Sequence, residues 1–167
     1  MTEKTFYEQS STSTSPLRIL SEQEIAEVLL PHLRSLGYQP ITEFVLSDHF
    51  FDIKRLTGKQ ISKVRIDVAA LKGETITFIE IENGLWVTHP RLYTNLAHRV
   101  ILAFPAEKQA PTDQEQIHFA KKEGIGIVKV SSIGSVIPIL PPTNRVIDPA
   151  ISKAVKKLLE KRFSSEK

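Results

Sequence analysis

The sequence predicts an α/β fold in which a mixed central β-sheet, a three-strand meander plus later strands, is flanked by helices. Three observations predict it. Segments with an apolar period near 3.6 alternate with short runs rich in β-branched and aromatic residues. Two of those runs, residues 63–71 and 75–82, are separated by a glycine-containing turn, the pattern of an antiparallel hairpin. Two later runs, 100–104 and 125–130, are short and mainly apolar, as strands covered on both faces are, and a helix-patterned segment lies between them. Such a crossover makes its strands parallel neighbours, so the sheet is mixed.

Residues 1–18 are polar and Ser/Thr-rich and predict a flexible N-terminal segment. Ser21-Glu22-Gln23-Glu24 then has the form of a capping box. Ile25, Val28, Leu29, Leu33 and Leu36 follow at helical spacing, and Gly37 ends the helix. Residues 39–46 read as the first strand and 47–62 as a charged, turn-like connection. After the hairpin, Thr88 and Pro90 open a short helical segment reaching about His98, with Leu92, Tyr93 and Leu96 on its buried side. Thr112-Asp113-Gln114-Glu115 repeats the capping-box pattern before a helix that ends at Gly124. Residues 19–131 thus form the α/β core. Residues 132–167 comprise an irregular, proline-rich connection and a last helix opened by Asp148-Pro149. Its Ile151, Val155, Leu158 and Leu159 predict packing on the core.

A chain of 167 residues, 41% hydrophobic and 25% charged, suits one domain with a real core. The absence of cysteine excludes disulfides, thiolate metal sites and cysteine nucleophiles. No stretch approaches the ~20 apolar residues of a membrane span, and the N-terminus lacks the apolar run of a signal peptide. A cytoplasmic protein without a membrane partner is expected. The five histidines, at 32, 49, 89, 98 and 118, lack the spacing of a zinc motif, and no glycine-rich phosphate loop occurs.

The hairpin carries the chemistry. In 63–71, Val64, Ile66, Val68 and Ala70 alternate with Lys63, Arg65, Asp67 and Ala69. With Lys72-Gly73 as the turn, Asp67 faces Phe78, Arg65 faces Glu80 and Lys63 faces Glu82. Asp67, Glu80 and Glu82 then share one face, with Asp67 diagonal to Glu80 at roughly 7–8 Å. An isolated buried charge is costly, so such a face needs compensation. Two readings are open. Arg65 and Lys63 neutralise the glutamates in ordinary cross-strand pairs, or the carboxylates hold a hard divalent cation, which takes oxygen ligands.

The element order, the RID ending in Asp67 and the IEIEN carrying Glu80-Ile81-Glu82 together resemble the PD-(D/E)XK nuclease superfamily. That superfamily has a restriction-endonuclease-like core, with its signature Asp on the second strand and its (D/E)xK on the third. The resemblance covers about residues 21–131, including RVILAFP and AKKEGIGIV. It implies a metal-dependent nuclease that hydrolyses DNA phosphodiester bonds through Asp67, Glu80 and Glu82. It also implies Mg²⁺ (or Mn²⁺) held by Asp67, Glu80 and the backbone carbonyl of Ile81. Glu82 stands where the family has lysine. In ExE members of the superfamily such a glutamate serves as a general base or second ligand. Loss of the lysine also marks inactive relatives, which implies the alternative of a nucleic-acid-binding or assembly subunit. A further acid from the first helix or strand often joins these sites; Glu24, Glu27 and Glu43 are the candidates, with Glu24 also needed by the capping box.

The net charge of +3 is uneven: residues 152–167 carry +4 and the rest of the chain −1. Lys153, Lys156, Lys157 and Lys161 are therefore the candidate nucleic-acid contacts, a solvated helix face being the plainer reading. The slightly acidic body argues against strong independent DNA binding and suits a homodimer or a targeting subunit. His89 follows the glutamates closely enough to approach them. Trp86 and Tyr93 are candidates for base stacking, with core burial the simpler reading of each.

Overall fold

The computed structural model describes residues 18–49 and 51–166, so the expectation for residues 1–18 falls, but for Arg18, outside them. Among the described residues six strands form one sheet in sequential order: β1 (Gln39–Ser47), β2 (Lys63–Lys72), β3 (Thr75–Ile81), β4 (Arg99–Pro105), β5 (Gly126–Val130) and β6 (Val136–Leu140). β1, β2 and β3 form the antiparallel meander; β3, β4 and β5 are parallel neighbours, and β6 returns antiparallel to β5. Among the described residues the helices α1 (Glu22–Ser35), α2 (Ile53–Thr57), α3 (Gln114–Glu123) and α4 (Pro149–Ser165) accompany the sheet. This is the predicted α/β architecture, a mixed sheet flanked by helices. No helix among the described residues is long and apolar enough to cross a membrane.

α1 begins where its capping box forms. Ser21 Oγ accepts from the Glu24 N–H at 3.2 Å, and the Glu24 carboxylate accepts from the Ser21 N–H at 3.1 Å. Its Ile25, Leu29 and Leu33 cover one face of the sheet through Val68, Ala70, Ile79 and Ile81. The opposite face, with Phe78, Val100, Leu102 and Phe104, is covered by Ala120 of α3, Val155, Leu159 and Phe163 of α4, and Ile53 and Leu56 of α2. Ile151 and Leu158 of α4 pack at the margin of that core.

Several local expectations are corrected. The 136–140 segment, read as irregular, is the edge strand β6, so the sheet runs past Ser131. The 47–62 connection contains α2, whose first turn is capped by Asp52. The segment after Thr88 is a 3-10 turn, Pro90–Tyr93, with His89 in the N-cap position. α3 starts after another such turn, Pro111–Asp113.

The hairpin register differs from the expected one by two residues. Lys72 pairs with Thr75 and Val68 with Ile79, so the turn is Gly73-Glu74. Gly73 has φ of +60°, which places glycine at the first central position, where a type II′ turn requires it. A slip of two keeps every side chain on its face. Extending this register sets Asp67 opposite Glu80, not Phe78, and moves Arg65 and Lys63 off their expected partners Glu80 and Glu82.

β2 also changes face midway. Val64 and Ile66 belong to the core beneath α4, whereas Val68 and Ala70 belong to the core beneath α1. The change falls at Asp67, across from Glu43, which has φ of +52°, a left-handed conformation uncommon outside glycine. Arg162 of α4 donates to the carbonyls of Thr42 and Glu43 at 3.2 Å each. These bonds give the kinked carbonyls of β1 partners from another element.

Candidate active site

The kink brings Asp67 to the end of β3. Beyond the Val68–Ile79 pair, Asp67 Oδ2 accepts the backbone N–H of Ile81 at 2.8 Å. Glu80 is only 9% exposed. Its Oε2 accepts from the Tyr93 hydroxyl at 2.9 Å, and that hydroxyl also lies 3.1 Å from the Arg65 carbonyl oxygen. Glu82 follows β3 directly, its backbone N–H donating to the Ala103 carbonyl at 2.9 Å. Its Oε1 is in hydrogen-bond contact with His89 Nδ1, so the 82–89 loop closes on itself.

Burial is the main reason the Glu80 carboxyl is pushed up to about 8, and the negative charges of Asp67 and Glu82 add to it, against the Tyr93 hydrogen bond. Burial and the nearby Glu80 raise Tyr93 in turn, which keeps its hydroxyl protonated as a donor. The neutralisation expected from cross-strand pairing is not made. Arg65 approaches Asp67 at 4.0 Å and Glu43 at 3.8 Å with 61% of its side chain exposed, a position where an ion pair contributes little. Lys63 sits at the far end of β2, across from Ser47.

Beside Asp67 opens a cleft of about 720 Å³ between the start of α1 and the kinked strands, lined among others by Glu22, Glu27, Glu43, Arg65, Asp67 and Ile81. Of the three candidate extra acids, Glu24 is committed to its cap and to Arg18, and the Ser21 backbone N–H lowers its pKa. Glu27 and Glu43 line the cleft. Sequence reasoning missed Glu22, whose carboxyl is raised by burial and by the charges of Asp67 and Glu82. Its only sequence signal is its place in the first helical turn, just after the capping serine. Sequence reasoning also left Tyr93 as a packing residue, whereas its hydroxyl anchors Glu80.

Glu80, Glu82 and His89 each offer one donor atom, all within 4.8 Å of one another. The α4 lysines are divided. Lys156 pairs with Glu74 at the hairpin turn, while Lys153, Lys157 and Lys161 are exposed. Trp86, expected in the core, is exposed.

No protein-family model matches the chain, and no curated protein is significantly similar to it. Among solved structures, it is similar to a protein of unknown function from Silicibacter pomeroyi, at 16% identity over 90% of both chains and a TM-score of 0.63. A fainter likeness is to SfsA of Pyrococcus furiosus, solved with Ca²⁺. It has 18% identity, covers 75% of this chain and 62% of that one, and has a TM-score of 0.33. The first likeness shows a shared fold; the second is too slight to carry an argument.

Proposed function

We propose that this protein is a divalent-cation-dependent nuclease of the restriction-endonuclease-like PD-(D/E)XK type, hydrolysing phosphodiester bonds in DNA. One observation carries the reading. Asp67, Glu80 and Glu82 lie near one another at the end of β3, Asp67 lines an open cleft, and among the described residues no lysine or arginine is buried with them. Carboxylates so arranged repel one another when ionised, and a bound cation would relieve that.

The donor set fits a hard cation, being mainly carboxylate oxygen. Glu80, Glu82 and His89 present donor atoms within 4.8 Å of one another, so one ion would be within reach of all three. Asp67 and Glu80 would hold the ion with the Ile81 carbonyl. Asp67 would offer Oδ1, which Arg65 approaches at 4.0 Å, since Oδ2 is engaged by the Ile81 N–H. A bound divalent cation supplies charge neutralisation at the phosphate and makes a bound water more acidic. Glu82, in the lysine position, accepts the proton of the attacking water, and His89 orients its carboxylate. Tyr93 fixes the rotamer of Glu80. Arg65, exposed on the cleft wall, is the natural phosphate contact. An imidazole within reach favours Mn²⁺ over Mg²⁺, which prefers oxygen alone. DNA is the proposed partner, with a second copy or a targeting subunit supplying affinity that the acidic body lacks.

A second reading, a non-catalytic nucleic-acid-binding or assembly subunit, has one observation in its favour. Arg65 already stands near Asp67 and Glu43, and His89 already engages Glu82. Assays on linear, branched and single-stranded DNA with Mg²⁺ or Mn²⁺ separate the two. A nuclease loses cleavage in Asp67→Asn and in Glu80→Gln with circular dichroism unchanged. A wild type that binds DNA yet binds no cation and cuts nothing is the silent relative.

A further inference from the structure

We infer that Trp86 is a stacking platform for an unpaired base, so that substrate enters this site as single-stranded or frayed nucleic acid; the inference rests on the nuclease reading of the adjoining carboxylates. The loop that carries Trp86 is closed at its ends by the Glu82–His89 contact. On either side of Trp86, Leu85 and Val87 are buried, and the Val87 N–H donates to Gln116 Oε1 of α3 at 3.1 Å. The Trp86 N–H itself donates to the Gly84 carbonyl at 3.1 Å. The loop is thus pinned before and after the tryptophan.

The indole nonetheless stands in solvent, 62% exposed. A Cβ at Gly84 would come within 3.1 Å of its Nε1, so glycine at that position lets the ring lie against the loop backbone. Tryptophan buries the most area of any side chain and usually occupies a core or an interface. The only tryptophan in the chain, held outward by an anchored loop, calls for a flat apolar ligand. Its backbone lies three residues from His89, a reach of at most about 11 Å, or some three steps of a stacked strand. A nucleobase beside a phosphodiester-cleaving centre is the ligand that fits. In a duplex both faces of each base are covered by its neighbours. Only an unpaired, terminal or flipped base offers a face to an aromatic ring.

Because the chain has one tryptophan, intrinsic fluorescence reads Trp86 directly. Wild-type protein is titrated with oligothymidylate and with a relaxed, covalently closed circular duplex, both with Ca²⁺ and with no added metal. Quenching by oligothymidylate and little response to the duplex are expected. In anisotropy measurements with labelled oligothymidylate, Trp86→Ala weakens binding by about tenfold and Trp86→Phe by less, with circular dichroism unchanged. Oligothymidylate that binds without altering the fluorescence, or that binds Trp86→Ala as tightly as wild type, overturns the inference and leaves the carboxylate site standing. Absence of binding and cleavage for every nucleic acid in Mn²⁺ overturns both. Emission that shifts with protein concentration alone assigns the ring to a second copy of the chain, and overturns the inference too.

Discussion

Replacing Glu80 by glutamine removes a charge while leaving an oxygen to accept from Tyr93. In the folded protein the Glu80 carboxyl is pushed up to about 8 by burial, Asp67 and Glu82; in the unfolded chain a glutamate titrates near 4.3. Between those values the folded state keeps a proton that the unfolded state has released, so stability falls as pH rises. The contribution is whole below the unfolded value and gone above the folded one. At about 1.4 kcal/mol per pH unit the full window amounts to about 5 kcal/mol, of which about 3 kcal/mol falls between about pH 5.5 and pH 8.5. Urea unfolding of both proteins at those two pH values measures it, and histidine titrations common to both cancel in the difference. Glu80→Gln should gain about 3 kcal/mol on the wild type across the interval, and Mn²⁺ should narrow the gap at the higher pH by stabilising the wild type. A stability difference that stays constant with pH would refute the reasoning, since Glu80 would then not be held protonated.

Three further outcomes follow from the same geometry. Tyr93→Phe removes the hydroxyl that donates to Glu80 at 2.9 Å; a loss of about 1–2 kcal/mol is expected in urea melts, and carbon-13 NMR should find the Glu80 carboxyl titrating higher still. His89→Ala should lower Mn²⁺ affinity by about tenfold and Mg²⁺ affinity much less; calorimetry giving equal losses for both ions would remove His89 from the donor set. Lys153, Lys157 and Lys161 are exposed, whereas Lys156 is engaged by Glu74. Replacing the first three by glutamine should reduce the salt slope of DNA binding by up to about 3, with Lys156→Gln changing it less, and an unaltered slope leaves α4 a packing helix only.

The parts of the fold that were legible in the sequence are those encoded locally. The Ser21–Glu24 box forms as written, and the strand runs paired as a mixed sheet. The hairpin slipped by an even number of residues, which leaves the side chains of its paired stretch on their faces. The turn itself depended on which position takes positive φ, and Gly73 is its first central residue, not its second. The kink at Glu43 has no local signal, since it is held by Arg162, 119 residues later. β6 was hidden by Pro138, which a central strand rejects but an edge strand such as β6 tolerates. Glu22 and Tyr93 reach the carboxylates only through the docking of α1 and of the turn after β3, which helical spacing does not specify. Trp86 was read by its hydrophobicity, whereas the burial of Leu85 and Val87 on either side of it turns it outward.

The central claim is that these carboxylates hold a divalent cation, and titration calorimetry with Mn²⁺ tests it most directly. Runs at about pH 7 in two buffers of different ionisation enthalpy count the protons released, because a ligand must be deprotonated to bind. With the Glu80 carboxyl raised to about 8, the wild type should bind one ion per chain and release close to one proton. That release should vanish above about pH 9, and Asp67→Asn and Glu80→Gln should lose most of the affinity. Absence of binding by the wild type, or binding that both variants retain unchanged with no proton released, would contradict the claim.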